Sequence, residues 1–559
     1  MIKELKYPIN GEEIIKKKKY LKRQFLDLSD FTEVRIAILS GSTIGDIADI
    51  LELFLFSYEI KPIFYIGNYN QYYEETLFNT KDLISFRPDI ILIHTTSRNV
   101  LDKDIFSKLN QVWEHIQKMH GCIIIQNNFE LLYNHISEIS ELNTKIDEYK
   151  NKTFYVNDIR YLSAVYGLDE WLDNRSYYLY GYAFNVKAVP MFCHNIAIII
   201  KSIYGKNHKC IVVDLDNTIW GGIVGEVGAE GIELGKGTAL GEAYLDFQKF
   251  LKKMHSFGII LAACSKNNET IAKEAFTNSN MVLQLDDFAV FCANWNEKSN
   301  NIIHISKSLN ILPQHLVFVD DNPAEREQVS SVLPQVAIIE SNFVTDFIRY
   351  IDRGGYFYSE VYLEEDIRRN EYYRNEVKRK VVEVNSNNYG DYLSSLTMAA
   401  KIEPFSDAHI ERITTLINKT NQFNLTGQRY SLNEVKKISI NNNFVTLYAD
   451  LNDKFGSSGI ISALISEVIE GSAHVRLWVM SCRVFKRDVE LAVFDSLVEE
   501  CLKRGIKKIF GYYHKTDRNE FVSKLYESLG FYKSLGEVWV FDVDKGYVPC
   551  NKYIRMRKE

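Results

Sequence analysis

The sequence predicts a multidomain α/β protein organised around parallel sheets. Three observations carry this. First, the chain has 559 residues, 46% hydrophobic and 25% charged, an ordinary globular balance with length for about three domains. Second, β-branched runs alternate with segments of helical apolar spacing, which places helices on both faces of a parallel sheet. Third, predicted strands end in polar or acidic residues, most clearly where Ile211-Val-Val213 runs into Asp214 and Asp216. In an open α/β sheet the C-terminal ends of strands are where ligands bind.

The net charge is −7 and the pI about 6.0, so no overall basic field points to nucleic acid. Lys16 to Lys19 reads as a solvated helix face. The eight cysteines form no CxxC pair; neither a zinc knuckle nor a disulfide framework is expected, and reduced thiols in a cytoplasmic protein are. The N-terminus has no secretory apolar region. The apolar run Ile196–Ile200 is far too short to span a bilayer, so no membrane insertion is expected.

The first domain is expected over residues 1–205. Val34–Leu39, Pro62–Ile66, Asp89–His94, Cys122–Ile125 and Thr153–Val156 read as strands, and Thr43–Ser57, Lys103–His120 and Phe129–Tyr149 as helices. Two strand ends are polar: Leu39-Ser-Gly-Ser-Thr43, with Ser42 on a tight turn, and Ile93-His-Thr-Thr-Ser-Arg-Asn99. The arrangement resembles an SGNH-hydrolase domain, with Ser42 at the nucleophile position. The Gly-Asp-Ser signature is absent, only Arg98-Asn99 remains of the Gly-x-Asn-Asp block, and no clear Asp-x-x-His pair follows. A serine without a base is a weak nucleophile, so a non-hydrolytic scaffold or docking domain is expected ahead of an esterase.

The chemistry concentrates in residues 206–350. Asp214-Leu-Asp-Asn-Thr218 follows the first strand. Helix Glu242–Phe257 leads through Gly258 to strand Ile259–Ala263, which ends in Cys264-Ser265-Lys266-Asn267. Lys298 precedes a helix, and strand Leu316–Val319 ends in Asp320-Asp321-Asn322-Pro323, with Pro323 at a favoured first helical position. Four such pieces in this order resemble the haloacid dehalogenase (HAD) superfamily, a Rossmann-like core that transfers phosphoryl groups. The resemblance implies Mg2+ held by Asp214 and Asp320, with Asp216 contributing its backbone carbonyl and Asp321 either a further ligand or a supporting carboxylate. It makes Asp214 the nucleophile and Asp216 the general acid and base. Thr218 orients the loop, and Thr218, Ser265, Asn267 and Lys298 face the phosphate.

Trp220-Gly-Gly-Ile-Val-Gly-Glu226 suits a flap over the site, and no large insertion separates the motifs. With Cys264 beside Ser265 this is similar to the FkbH-like subfamily, which loads a phosphorylated three-carbon acid onto an acyl carrier protein. The resemblance implies an acyl donor like 1,3-bisphosphoglycerate, Cys264 as the acyl-accepting thiolate, and the carrier's phosphopantetheine thiol as final acceptor. The alternatives are a plain phosphatase with a structural Cys264, and a non-catalytic carrier-binding assembly protein.

Residues 351–385, dense in charge over Leu363–Val384, read as a solvated helical connector. In residues 386–559, Ile402–Pro404, Phe444–Asp450, Ser458–Val468, Ala473–Met480 and Lys508–Tyr512 are strand-like, while Ala408–Thr420 and Asp488–Arg504 are helical. The order resembles a GNAT acetyltransferase fold. In that fold a Gly-rich turn before the main helix meets the CoA pyrophosphate. Here Lys486 and Asp488 stand where glycines are expected; Arg483 and Arg487 could meet a phosphate, but Asp488 would repel one. A docking surface for a carrier protein or its phosphopantetheine arm is expected, or a purely structural module.

Overall fold

The computed structural model describes residues 2–25, 31–100, 104–119, 121–359, 369–516, 519–534, 538–543 and 546–557. The chain divides into two compact units, Met1–Asn207 with Ile348–Tyr362, and His208–Phe347 with Leu363–Glu559.

The first unit holds a five-stranded, all-parallel sheet of order β2-β1-β3-β4-β5. Its strands are β1 (Thr32–Ser40), β2 (Ile60–Ile66), β3 (Ile90–His94), β4 (Ile123–Asn127) and β5 (Phe154–Asn157). Strand alternation divides its apolar residues between two cores. Ile36 and Ile38 pack with helices Gly45–Ser57 and Val189–Ile203, whereas Ala37 and Leu39 pack with helix Ile105–Met119. Lys103 and His120, the expected ends of that last helix, lie outside the described residues. The apolar stretch around Ile196 is longer than expected. Val186–Ile203 could cross a membrane by length and composition, but 67% of it is buried within the protein, and Phe192, Ile196, Ile199 and Ile200 belong to the core.

The expected boundary at 350/351 is corrected: Ile348–Tyr362 returns to the first unit. Non-local packing causes this. Gly355 (φ 63°) lies so close to Ile198 that a Cβ there would come within 2.2 Å of its Cδ1. The buried Lys201 ammonium donates to the Gly355 carbonyl at 2.7 Å.

The second unit carries two sheets. One is parallel, of order β10-β9-β6-β7-β8, from β6 (Cys210–Val213), β7 (Ile260–Ser265), β8 (Phe288–Ala293), β9 (Leu316–Val319) and β10 (Ala337–Ile338). Its central strand leads directly into Asp214. The other is a mixed sheet of order β16-β17-β15-β14-β13-β12-β11-β18. Its strands are β11 (Ala399–Glu403), β12 (Phe444–Asp453), β13 (Gly456–Ile469), β14 (Ser472–Met480), β15 (Lys508–Tyr512), β16 (Tyr532–Lys533), β17 (Val538–Asp542) and β18 (Arg555–Met556). β11 to β14 are antiparallel and β14–β15 parallel, pairing over Ser472–Val475. Beyond that, Phe423 and Leu425 pair with β14: Leu425 N–H donates to Trp478 O at 3.3 Å and Met480 N–H to Phe423 O at 3.1 Å.

The connector is also corrected. Residues 360–368 of it lie outside the described residues, but helix Arg369–Val384 is not simply solvated. Arg379 is buried and grips Asp453 with two bonds of 2.7 and 2.9 Å. Arg487 meets the same carboxylate at 3.4 Å and also bonds Glu376. Composition shows four charges; burial shows they are paired. Breaking a buried ion pair from one side leaves uncompensated charge. Asp453→Ala, which strands two guanidinium groups, is expected to lower unfolding free energy by about 3–5 kcal/mol, read as a fall in the denaturant midpoint by circular dichroism.

Candidate active site

The site forms where four loops leave the C-terminal edge of the parallel sheet. Asp214 N–H donates to Val319 O at 2.9 Å, tying the end of β6 to β9. Lys298, the first residue of helix Lys298–Leu309, is buried with its ammonium 2.8 Å from Asp214 Oδ2 and 2.5 Å from Asp320 Oδ2. Burial alone would lower the Lys298 pKa; the two carboxylates outweigh it and hold it above the usual lysine value. Asp320 is pushed up to about 6, by burial first and then by the charge of Asp214. Asp321 is raised for the same two reasons.

Asp214, Asp320 and Asp321 each offer an oxygen within 4.8 Å of the others. Asp320 uses both oxygens, its Oδ1 accepting from Asn322 N–H at 2.9 Å. Asp214 does not: among the described residues its Oδ1 is buried without a hydrogen-bond partner. Three carboxylates, two of them on one lysine, with an orphaned oxygen and only oxygen donors, fit a hard divalent cation such as Mg2+.

Asp216 sits on the turn that follows. Its Oδ1 accepts from Trp220 Nε1–H at 2.8 Å and Val224 N–H at 3.0 Å. Its Oδ2 accepts from Asn267 Nδ2–H at 2.9 Å. Burial raises its pKa, and the first two bonds pull partly back. The glycine run does fold back over this turn. Gly221 and Glu233 exchange both backbone hydrogen bonds (3.0 and 2.9 Å) around a short kinked helix, Val224–Gly231, so the flap is not a bare hairpin. A Cβ on Gly221 would meet Tyr244 at 2.9 Å.

The other expected residues divide. Ser265 ends β7, buried beside the site, and its carbonyl accepts from Asn294 N–H at 3.1 Å. Asn267 was expected at the phosphate; it bonds Asp216 instead. Thr218 faces Asp321, accepting from its N–H at 3.3 Å and donating to its Oδ1 at 3.4 Å, and so joins two site loops. Cys264 as nucleophile is corrected. Its side chain packs in the core with Cys210, Ile302 and Ile305, its Sγ faces Lys298 O at 3.8 Å, and burial pushes the thiol well up. A buried neutral thiol is not a thiolate nucleophile.

Sequence reasoning missed four supports. Arg326 donates to the carbonyls of Asp320 and Asp321 at 2.7 and 2.9 Å. Tyr244 OH donates to Asn217 O at 3.3 Å, and Gln248 Nε2–H to Ile219 O at 2.8 Å. Trp220 was the legible one, a donor four residues after Asp216.

Ser42, in the first unit, is buried with its Oγ unpartnered among the described residues. His94, at the end of β3, is buried, accepts from Asn127 Nδ2–H at 2.8 Å and is pushed down to about 3 by burial, which keeps it neutral. Asn99 bonds Thr96 N–H, and Arg98 bonds Asn174 and covers the Tyr177 ring at 4.5 Å. No base is hydrogen-bonded to Ser42 among the described residues.

In the C-terminal sheet, Lys486 and Asp488 do take the left-handed backbone (φ 62° and 57°) expected of glycines. Arg487 is turned inward to Asp453 and Glu376, so it is not free for a phosphate. Asp488 and Glu490, both raised by burial, stand at the N-terminus of helix Val489–Lys503.

No family model matches the sequence, and no curated protein does. Among solved structures, the N-terminal part of the protein BF1531 from Bacteroides fragilis, containing a phosphatase domain complexed with Mg, is 30% identical with a TM-score of 0.58, over 62% of this chain and 99% of that one. The ribosomal-protein-S18-alanine N-acetyltransferase of Escherichia coli is 13% identical over 27% of this chain and 99% of its own, with a TM-score of 0.21. Spermidine N-acetyltransferase from Vibrio cholerae is 14% identical over 26% of this chain and 96% of its own, with a TM-score of 0.22.

Lys298→Met is expected to destabilise the protein by about 3–5 kcal/mol without divalent ions, since two buried carboxylates lose their cation. Added Mg2+ is expected to restore part of the loss, measured as thermal midpoints with and without the ion.

Proposed function

The chain belongs to the haloacid dehalogenase superfamily and carries a phosphatase domain of that type, and from this premise we propose that it is a Mg2+-dependent phosphoryl-transfer enzyme with Asp214 as nucleophile. The carrying observation is the division of labour within Asp214. One oxygen is held by Lys298, and the other is buried without a partner beside Asp320 and Asp321.

Asp214, Asp320 and Asp321 would hold the ion, with the Asp216 backbone carbonyl as the family resemblance implies. Bound there, it supplies positive charge that lets an anionic carboxylate meet an anionic phosphate. A carboxylate oxygen of Asp214 attacks phosphorus; the new O–P bond forms as the bond to the leaving oxygen breaks, and Asp216 protonates that oxygen. Water then attacks the aspartyl phosphate while Asp216 takes its proton, and Asp214 is regenerated. The raised Asp216 pKa suits the acid role. Asn267 and Trp220 fix the position of its carboxyl, and Lys298 with Ser265 faces the phosphoryl oxygens.

The finer reading is a phosphorylated three-carbon acyl donor, similar to 1,3-bisphosphoglycerate, whose glyceryl group ends on the thiol of an acyl carrier protein in the cytoplasm. Its support is the motif set's resemblance to FkbH-like proteins. With Cys264 buried, the acyl step runs on the carrier's own phosphopantetheine thiolate. That sulfur attacks the acyl-phosphate carbonyl carbon, the C–O bond breaks, and phosphate leaves with the electron pair. A second reading, a plain phosphatase of a small phosphorylated metabolite, is favoured by the same burial of Cys264, because it needs no thiol.

Asp214→Asn is expected to lower Mg2+-dependent phosphate release by about a thousandfold or more; undiminished release would remove the nucleophile assignment. Cys264→Ala is expected to leave phosphate release within about twofold. Intact-mass analysis of a holo-carrier incubated with enzyme and 1,3-bisphosphoglycerate is expected to show the same glyceryl adduct with wild type and Cys264→Ala. Phosphate release without any carrier adduct would leave the plain phosphatase reading.

A further inference from the structure

The chain has six tryptophans. Trp113, Trp171, Trp220 and Trp478 are at most 1% exposed, and Trp539 packs against the core of the C-terminal sheet. Trp295 is 76% exposed. An indole gains more from burial than almost any side chain and is polar only at its N–H, so a single one left in water asks for a reason. Trp295 forms none of the hydrogen bonds or ring contacts found among the described residues.

Its place in the fold supplies the reason. Trp295 lies on the loop between β8 and helix Lys298–Leu309, three residues before Lys298. That loop is braced. Asn294 N–H donates to Ser265 O at 3.1 Å. The side-chain amides of Asn294 and Asn301 exchange two bonds, of 3.2 and 3.0 Å. Asn296 N–H donates to Asn294 Oδ1 at 3.0 Å. The indole is thus carried by backbone bonded directly to Ser265 and leading into Lys298, the two residues that face the phosphoryl group. In an in-line displacement at Asp214 the leaving group departs on the side away from that carboxylate. The site has no large inserted domain to receive it, only the flap with its half-exposed Ile223 and Val227.

We propose that Trp295 is a specificity-determining residue whose indole receives the organic leaving group of the phosphorylated substrate and favours groups with an apolar or flat face. The inference rests on the phosphoryl-transfer reading above. It concerns the carbon side of the scissile bond, so Trp295 acts on binding rather than on bond breaking.

The test compares wild type, Trp295→Ala and Trp295→Phe on 2-naphthyl phosphate and on acetyl phosphate, each with Mg2+. For 2-naphthyl phosphate, Trp295→Ala is expected to raise KM about tenfold with kcat within about twofold, and Trp295→Phe to recover most of the loss. For acetyl phosphate, all three proteins are expected to agree within about twofold. An unchanged KM for the naphthyl ester, or an equal loss on both substrates, overturns the assignment. In a second measurement on the Asp214→Asn protein, phenyl phosphate is expected to shield the exposed tryptophan from iodide quenching; unchanged quenching counts against it. If wild type releases phosphate from neither substrate, the phosphoryl-transfer reading itself falls and takes this inference with it. An active wild type with an unresponsive Trp295→Ala overturns this inference alone.

Discussion

The structure of the site depends on one buried ammonium. Lys298 lies between Asp214 and Asp320, and without it two carboxylates from neighbouring strand ends would face each other in a dry setting. Asp320 is raised even with the lysine present, by burial first and then by the charge of Asp214. The lysine sets one positive charge against both carboxylates while using only one oxygen of Asp214. Everything else supports that arrangement: Arg326 holds the carbonyls of Asp320 and Asp321, Thr218 ties the first loop to the last, and Val319 anchors the backbone of Asp214.

A second buried charge cluster organises the C-terminal sheet, with a different outcome. Arg379 and Arg487 share Asp453, and Glu376 closes the set. Here every charge is satisfied within the protein, so the cluster holds helix Arg369–Val384 against the turn that leads into helix Val489–Lys503. That turn keeps the left-handed backbone of a phosphate-binding loop, yet presents Asp488 and Glu490 at the helix N-terminus, where an anion would otherwise be favoured. That turn therefore meets a CoA pyrophosphate with acidic side chains rather than with free donors. The contrast between the clusters is instructive: the one with an unmatched carboxylate oxygen is the one with chemistry to do.

The site was legible in the sequence because its residues are punctuation marks on local structure. Asp214, Ser265 and Asp320 each close a short apolar run, and Lys298 and Pro323 each open a helix. Order and spacing were enough to collect them. What the sequence hid were partners chosen by folding. Asn267 sits two residues after Ser265, and only the loop path turns it to Asp216 rather than to a phosphate. Arg326 is an ordinary helical arginine until it folds back on two carbonyls. The return of Ile348–Tyr362 to the first unit depends on Ile198 packing on Gly355, a pairing with no local signature. The Arg379 cluster joins positions far apart in the chain, and charge-dense composition reads the same whether the charges face water or one another.

Cys264 shows most clearly what a strand can and cannot present. Consecutive residues in a strand point to opposite faces. Ile260, Ala262 and Cys264 share one face and one core cluster, with Ile302 and Ile305 of helix Lys298–Leu309. Ser265 takes the other parity at the strand end, where its carbonyl joins the loop that leads to Lys298. A Cys-Ser pair at this position cannot turn both side chains to one phosphate unless the strand ends early, and β7 runs through Ser265. Bringing the thiol round would break the pairing of Cys264 with Cys292 and open the core behind it. The motif therefore assigns the hydroxyl to the site and the sulfur to the core. Any acyl chemistry must find its thiol elsewhere than on this strand.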